Sequence, residues 1–151
     1  MAVIFVGKNH GFSLLELLIA VVLVSVLAST ATMIYKRHQV KVARMGVQAE
    51  IVNLGKQLQE YKMINKTYSG VLLFNSTDGT VNFPTNASKP SYVIKVVLPT
   101  PQTYTITATP INSTSQAGDG VVCYNYKNQR FWRLGATSCA LSDTSTWYGS
   151  K

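Results

Sequence analysis

Residues 11–35 read GFSLLELLIAVVLVSVLASTATMIY, and the reading of this stretch decides the fold. From Leu17 to Tyr35 there is no charged residue. At 1.5 Å rise per residue, a helix of about 19 residues spans roughly 29 Å, the thickness of a bilayer's hydrocarbon core. Apolar side chains fall on every face of that helix, so it lacks the one-sided stripe of a helix that packs on a soluble core. One acid, Glu16, sits close to its start. A carboxylate inside a membrane segment costs about 2.5–3.5 kcal/mol on insertion scales, so its presence here is a sign of function.

Upstream, residues 1–11 (MAVIFVGKNHG) form a short leader carrying Lys8 and His10. A secretory signal has a basic start, a short apolar middle and a small-residue cleavage site after it. Here the apolar part precedes the charge and the long apolar run follows it. The run Gly11-Phe12-Ser13-Leu14-Leu15-Glu16-Leu17-Leu18-Ile19 resembles the type IV prepilin cleavage and methylation signature: a short basic leader ending in Gly, an aromatic residue, Glu as the fifth mature residue, then a long apolar segment. The resemblance implies that a membrane prepilin peptidase cuts between Gly11 and Phe12 and methylates the new Phe12 amine. It divides the chain into a leader (1–11), a transmembrane and filament-core helix (12–35) and a soluble αβ pilin head domain (36–151). It also gives Glu16 a partner, the Phe12 amine of a neighbouring subunit. Such pairing offsets the desolvation of both groups and penalises a wrong axial register.

Two features depart from that pattern. Lys36, Arg37, Lys41 and Arg44 follow the apolar run, and the positive-inside rule alone would put that side in the cytoplasm; the resemblance implies the opposite. Many members of the family carry a Pro in the apolar segment, whereas here Met33 stands at the corresponding position and no Pro lies between Phe12 and Phe83.

Downstream, Val47, Ile51, Leu54, Leu58 and Tyr61 step by four and three, so the helix is expected to run on to about Asn65 with one apolar stripe. Gly46 and Gly55 each weaken it by about 1 kcal/mol and leave room for bending or close packing. Residues 66–90, rich in Ser, Thr, Asn, Gly and Pro around Val71-Leu72-Leu73-Phe74, read as a long loop. Four strands follow: 91–98, 102–109, 121–126 and 130–134, with Lys127-Asn128-Gln129 as a hairpin turn and Gly118-Asp119-Gly120 as a further turn. The expected class is α+β: a long N-terminal helix, its first half membrane-spanning, whose second half packs on a C-terminal antiparallel sheet of about four strands, as in the type IV pilin fold. Ala108-Thr109-Pro110, Gln116, Gly118-Asp119-Gly120, Arg130 and Trp132 are similar to the sheet of minor pilins of the PilE-like kind.

Cys123 and Cys139 are the only cysteines, and in a chain with an export-like segment they read as one disulfide. Two Cys without a suitable His cluster argue against a metal site. The mature chain has only six acids and one His, with no nucleophile–base constellation and no phosphate-cradling Gly loop, so neither an enzyme nor a cofactor is expected.

The net charge of +8 favours anionic partners. Between Asp119 and Asp143 there is no acid, while Lys127, Arg130 and Arg133 interleave with Tyr124, Tyr126, Phe131 and Trp132. Cations for phosphates beside aromatics for bases is the pattern of nucleic-acid binders; the plainer alternative is a strand with its aromatics in the core and its cations protecting an edge. The leading expectation is therefore a structural subunit of a type IV pilus, a minor pilin, that enters the inner membrane and is then assembled with other pilin subunits into a surface filament. Motility, adhesion or DNA uptake would be properties of that filament. Two alternatives share the scaffold: a competence pilin whose Lys127, Arg130 and Arg133 capture DNA, and a pseudopilin of a type II secretion system.

Overall fold

The computed structural model describes residues 13–73 and 78–148. Helix α1 runs from Leu14 to Asn65, and the described chain divides at Arg37/His38 into two compact units. In the first unit every described residue is exposed in the isolated chain. By length and composition α1 carries a segment apolar enough to cross a membrane. Ser25, Ser29, Thr30 and Thr32 in this segment donate their hydroxyls to helix carbonyls three or four residues back, which satisfies them without water.

The second unit has the helix and sheet of the expected α+β fold. The stripe Val47, Ile51, Leu54 and Leu58 is fully or almost fully buried, as the spacing requires, while Tyr61 is half-buried. The helix ends where Lys66, in the left-handed region (φ 61°), donates its N–H to the Lys62 carbonyl. Facing the stripe is a five-stranded antiparallel meander in chain order: β1 Thr80–Phe83, β2 Tyr92–Thr100, β3 Thr103–Pro110, β4 Val122–Asn125 and β5 Arg130–Trp132. Strand alternation puts Tyr92, Ile94, Tyr104, Ile106, Ala108, Val122 and Tyr124 into one core with the helix.

One strand lies inside the stretch that reads as loop. β1 has four residues and only Val81 and Phe83 pointing to the core, too short an alternation to stand out among Thr, Asn and Ser. It forms because the β2 edge is free to pair: Val81 sits opposite Ile94 and Phe83 opposite Tyr92.

Gly55 is where helix and sheet come closest. A Cβ there would lie 2.5 Å from Cε1 of Tyr124 and 3.1 Å from the Tyr104 hydroxyl. The helix-weakening residue is thus what lets two tyrosines of the sheet meet the helix backbone.

Candidate functional site

Of the residues singled out in the sequence, Gly11 and Phe12 lie outside the described residues. Glu16 is exposed in the first turn of α1. The Ser13 carbonyl accepts the Leu17 N–H, which makes Ser13 the N-cap and Glu16 the third helical residue. Ser-x-x-Glu is the capping-box spacing, and an acid in the first turn also complements the helix dipole. Glu16 therefore has a local reason to favour the helix start besides any partner in a filament, and the sequence carried that signal.

Among the described residues of the head, Asp119, between the two glycines of the Gly118–Gly120 turn, is the one buried charge. Its side chain is 1% exposed and pairs with Arg44 of α1 through two bonds, Nη2 to Oδ1 at 2.6 Å and Nε to Oδ2 at 2.8 Å. Oδ2 also accepts from the Tyr92 hydroxyl (2.6 Å) and from the Gln116 amide (3.0 Å). The Gln116 amide reaches the Val40 carbonyl and the Tyr92 oxygen as well. Trp132 closes the set: its ring lies 3.6 Å from the Arg44 guanidinium carbon, and its Nε1–H donates to the Asp119 carbonyl at 3.0 Å. Burial, followed by the neighbouring Asp119 carboxylate, holds the Tyr92 hydroxyl well above the usual tyrosine range. Gly120 has φ +94°, and a Cβ there would fall 2.0 Å from the Arg133 carbonyl, so the turn needs glycine. This network ties helix, sheet and loop together. Its chemistry is positional: charges and hydrogen bonds are matched inside it, which is what a buried ion pair requires. Gln116, Asp119 and Trp132, similar in sequence to PilE-like minor pilins, are therefore core fixtures. Arg44, one of the cations after the apolar segment, belongs to the core as well.

The cations offered for nucleic acid sit around a strap that crosses β4 and β5. Cys123 and Cys139 form a disulfide with Cα atoms 6.0 Å apart. It fixes Cys139 against Thr107 on the face of β4 turned away from the helix, while Trp147 packs on Tyr124 at the core side, and cover from both faces accounts for the burial of all four β4 residues. Lys127 and Arg130 are exposed and line one groove of about 310 Å³ together with Trp147, Tyr148 and Asp143. Arg133, also exposed, lines a neighbouring groove of about 540 Å³ with Phe131, Leu134 and Ala140. The structure thus brings two of the three cations together and puts the third next door. Arg130 lies with its guanidinium carbon 5.1 Å from the centre of the Trp147 ring, and the Lys127 amine is 5.8 Å from the Tyr126 ring. The Asp143 carboxylate accepts from the Gln129 amide at 2.6 Å. Arg44–Asp119 is the only salt bridge among the described residues, so Lys127 and Arg130 keep their charge available to an anion.

Sequence reading named the cations and missed Trp147 as their neighbour. Its signal was present, a Trp-Tyr pair in an otherwise polar tail, but contact between residues so far apart along the chain follows only from the fold. Among the described residues, no cluster of His, Cys, Asp and Glu could hold a metal.

Two family models match the chain. One, described as type IV minor pilin ComP, DNA uptake sequence receptor, matches residues 34–127, more than half of the chain. The other, the prokaryotic N-terminal methylation motif, matches residues 7–32. No curated protein and no solved structure gives a significant match.

Proposed function

Since the chain belongs to the family of the type IV minor pilin ComP, we propose that this minor pilin takes part in DNA uptake, with the Lys127–Arg130 groove contacting phosphates and Arg133 adding a contact from the groove beside it. The observation that carries the reading is the conjunction of a DNA-receptor family match over the head with two exposed cations that have no carboxylate partner and lie beside an aromatic ring. The match ends at Lys127, so the roles of Arg130 and Arg133 rest on geometry and charge. In the same reading prepilin peptidase cuts between Gly11 and Phe12, the Phe12 amine is methylated, and the apolar helix serves first as an inner-membrane anchor and then as the filament core. Glu16 pairs there with the Phe12 amine of a neighbouring pilin. The mature mass should begin at Phe12, and Glu16→Ala should leave membrane insertion intact while removing the protein from sheared filaments.

The deciding experiment measures binding of a fluorescein-labelled DNA duplex to the full-length protein in detergent over a range of salt. Binding should weaken as salt rises, and Lys127→Ala with Arg130→Ala should flatten the log–log salt slope by about 0.9 per lost phosphate contact. Salt-insensitive binding, or binding unchanged when Lys127, Arg130 and Arg133 are all Ala, would overturn the DNA reading and leave a purely structural minor pilin.

A further inference from the structure

We infer that Trp147, carried on the disulfide-fixed strap and outside the family-matched stretch, is the residue that positions Arg130 for a phosphate; the inference rests on the DNA reading above. Arg130 is at the edge of the sheet, on the last short strand, opposite Tyr124. Register puts Tyr124 and Arg130 on the same face as the core, yet among the described residues no further strand pairs beyond β5. A long cationic side chain at such an edge samples many rotamers, and ordering it costs free energy when a ligand binds. Trp147 supplies what the sheet lacks. Its ring packs on Tyr124 at 6.2 Å between centres and donates its Nε1–H to the Cys123 carbonyl at 3.2 Å. The strap is tied further by the Trp132 N–H to the Thr146 carbonyl, by Gln129 to Asp143 and by the Cys123–Cys139 bridge. Trp147 is thus held by two β4 residues, Tyr124 opposite Arg130 and Cys123 opposite Phe131. A guanidinium stacked on an aromatic face engages its π surface and leaves its in-plane N–H donors free, the fork that matches a phosphate.

The strap also accounts for Asp143, the acid that shares the groove. Its carboxylate is engaged by the Gln129 amide, which in turn is held by Asn125 at 2.6 Å. The same segment therefore brings the ring that orients the arginine and ties down the acid that would compete for it. The ligand class is a phosphodiester; one arginine beside an aromatic face and one lysine recognise backbone charge and not base sequence.

The test uses the full-length protein in detergent and the labelled duplex, comparing the wild type with Trp147→Ala, Trp147→Phe, Arg130→Ala and the double variant. Trp147→Ala should weaken binding about five- to tenfold and flatten the salt slope by about 0.9, as Arg130→Ala does. Trp147→Phe keeps a stacking face and should stay within about twofold of wild type. The double variant should be no weaker than Arg130→Ala alone, because both remove the same contact. The Arg130 Nε–H NMR signal should carry an aromatic ring-current shift in wild type and Trp147→Phe, and lose it in Trp147→Ala. Full additivity of the two alanine changes, an unaltered salt slope in Trp147→Ala, or no ring-current shift would overturn the inference while leaving the DNA reading intact. Absence of salt-dependent binding by the wild type would overturn both.

Discussion

At the scale of single residues, Asp119 has more depending on it than any other side chain in the head. It is a short acid between two glycines, a pattern that announces a turn. The turn exists, but its carboxylate points inward to Arg44, Tyr92 and Gln116. Breaking a buried ion pair by removing one partner leaves an uncompensated charge and costs about 3–5 kcal/mol. Asp119→Ala should therefore lower the stability of the head by about that amount, read from urea unfolding followed by the fluorescence of Trp132 and Trp147. Removing both partners, as in Arg44→Met with Asp119→Leu, should recover part of the loss; equal or greater destabilisation in the double variant would refute the pairing as its cause. Nothing in the local sequence distinguishes Asp119 from a solvated turn acid, because its partners come from positions as distant as Arg44.

At the scale of elements, the helix and four of the strands were legible because each buries a face at a fixed period: four-and-three steps from Val47 to Leu58, and alternation through Tyr92, Ile94, Tyr104 and Ile106. β1 was not, since two inward residues make no period and its pairing depends on the β2 edge. Gly55 shows the limit of propensity. Gly→Ala inside a helix ordinarily gains about 1 kcal/mol, but here the new methyl group would meet the Tyr124 ring at 2.5 Å. Overpacking of this kind costs about 1–3 kcal/mol, so Gly55→Ala should be neutral to destabilising, with a lowered melting temperature. A clear rise would show that the helix is not pressed against the sheet at this point.

For the whole molecule, the disulfide is the covalent tie on the segment after β5, whose described residues form no strand or helix of their own and are otherwise held by single hydrogen bonds and ring contacts. A bridge across 16 residues stabilises a fold by about 3 kcal/mol in the chain-entropy model. Replacing Cys123 and Cys139 by Ser should lower stability by about that much, measured by urea unfolding, and should reduce the ring-current shift of Arg130 before the sheet itself unfolds. A head whose strap signals are unchanged without the bridge would contradict this. The sequence by itself determined the parts governed by local rules: the N-terminal methylation motif, the membrane-length apolar run, the amphipathic second half of the helix, the alternating strands, and the pairing of the only two cysteines. The tertiary structure alone decided that Arg44 and Asp119 meet, that Gly55 admits two tyrosines, that a fifth strand completes the sheet, and that Trp147 lies over Arg130 while Arg133 faces a different groove. The physical reason is range. Periodicity, charge and turn chemistry act over a few neighbouring residues and are written in order along the chain, whereas buried pairs and groove walls are contacts between distant positions, fixed by how the elements pack.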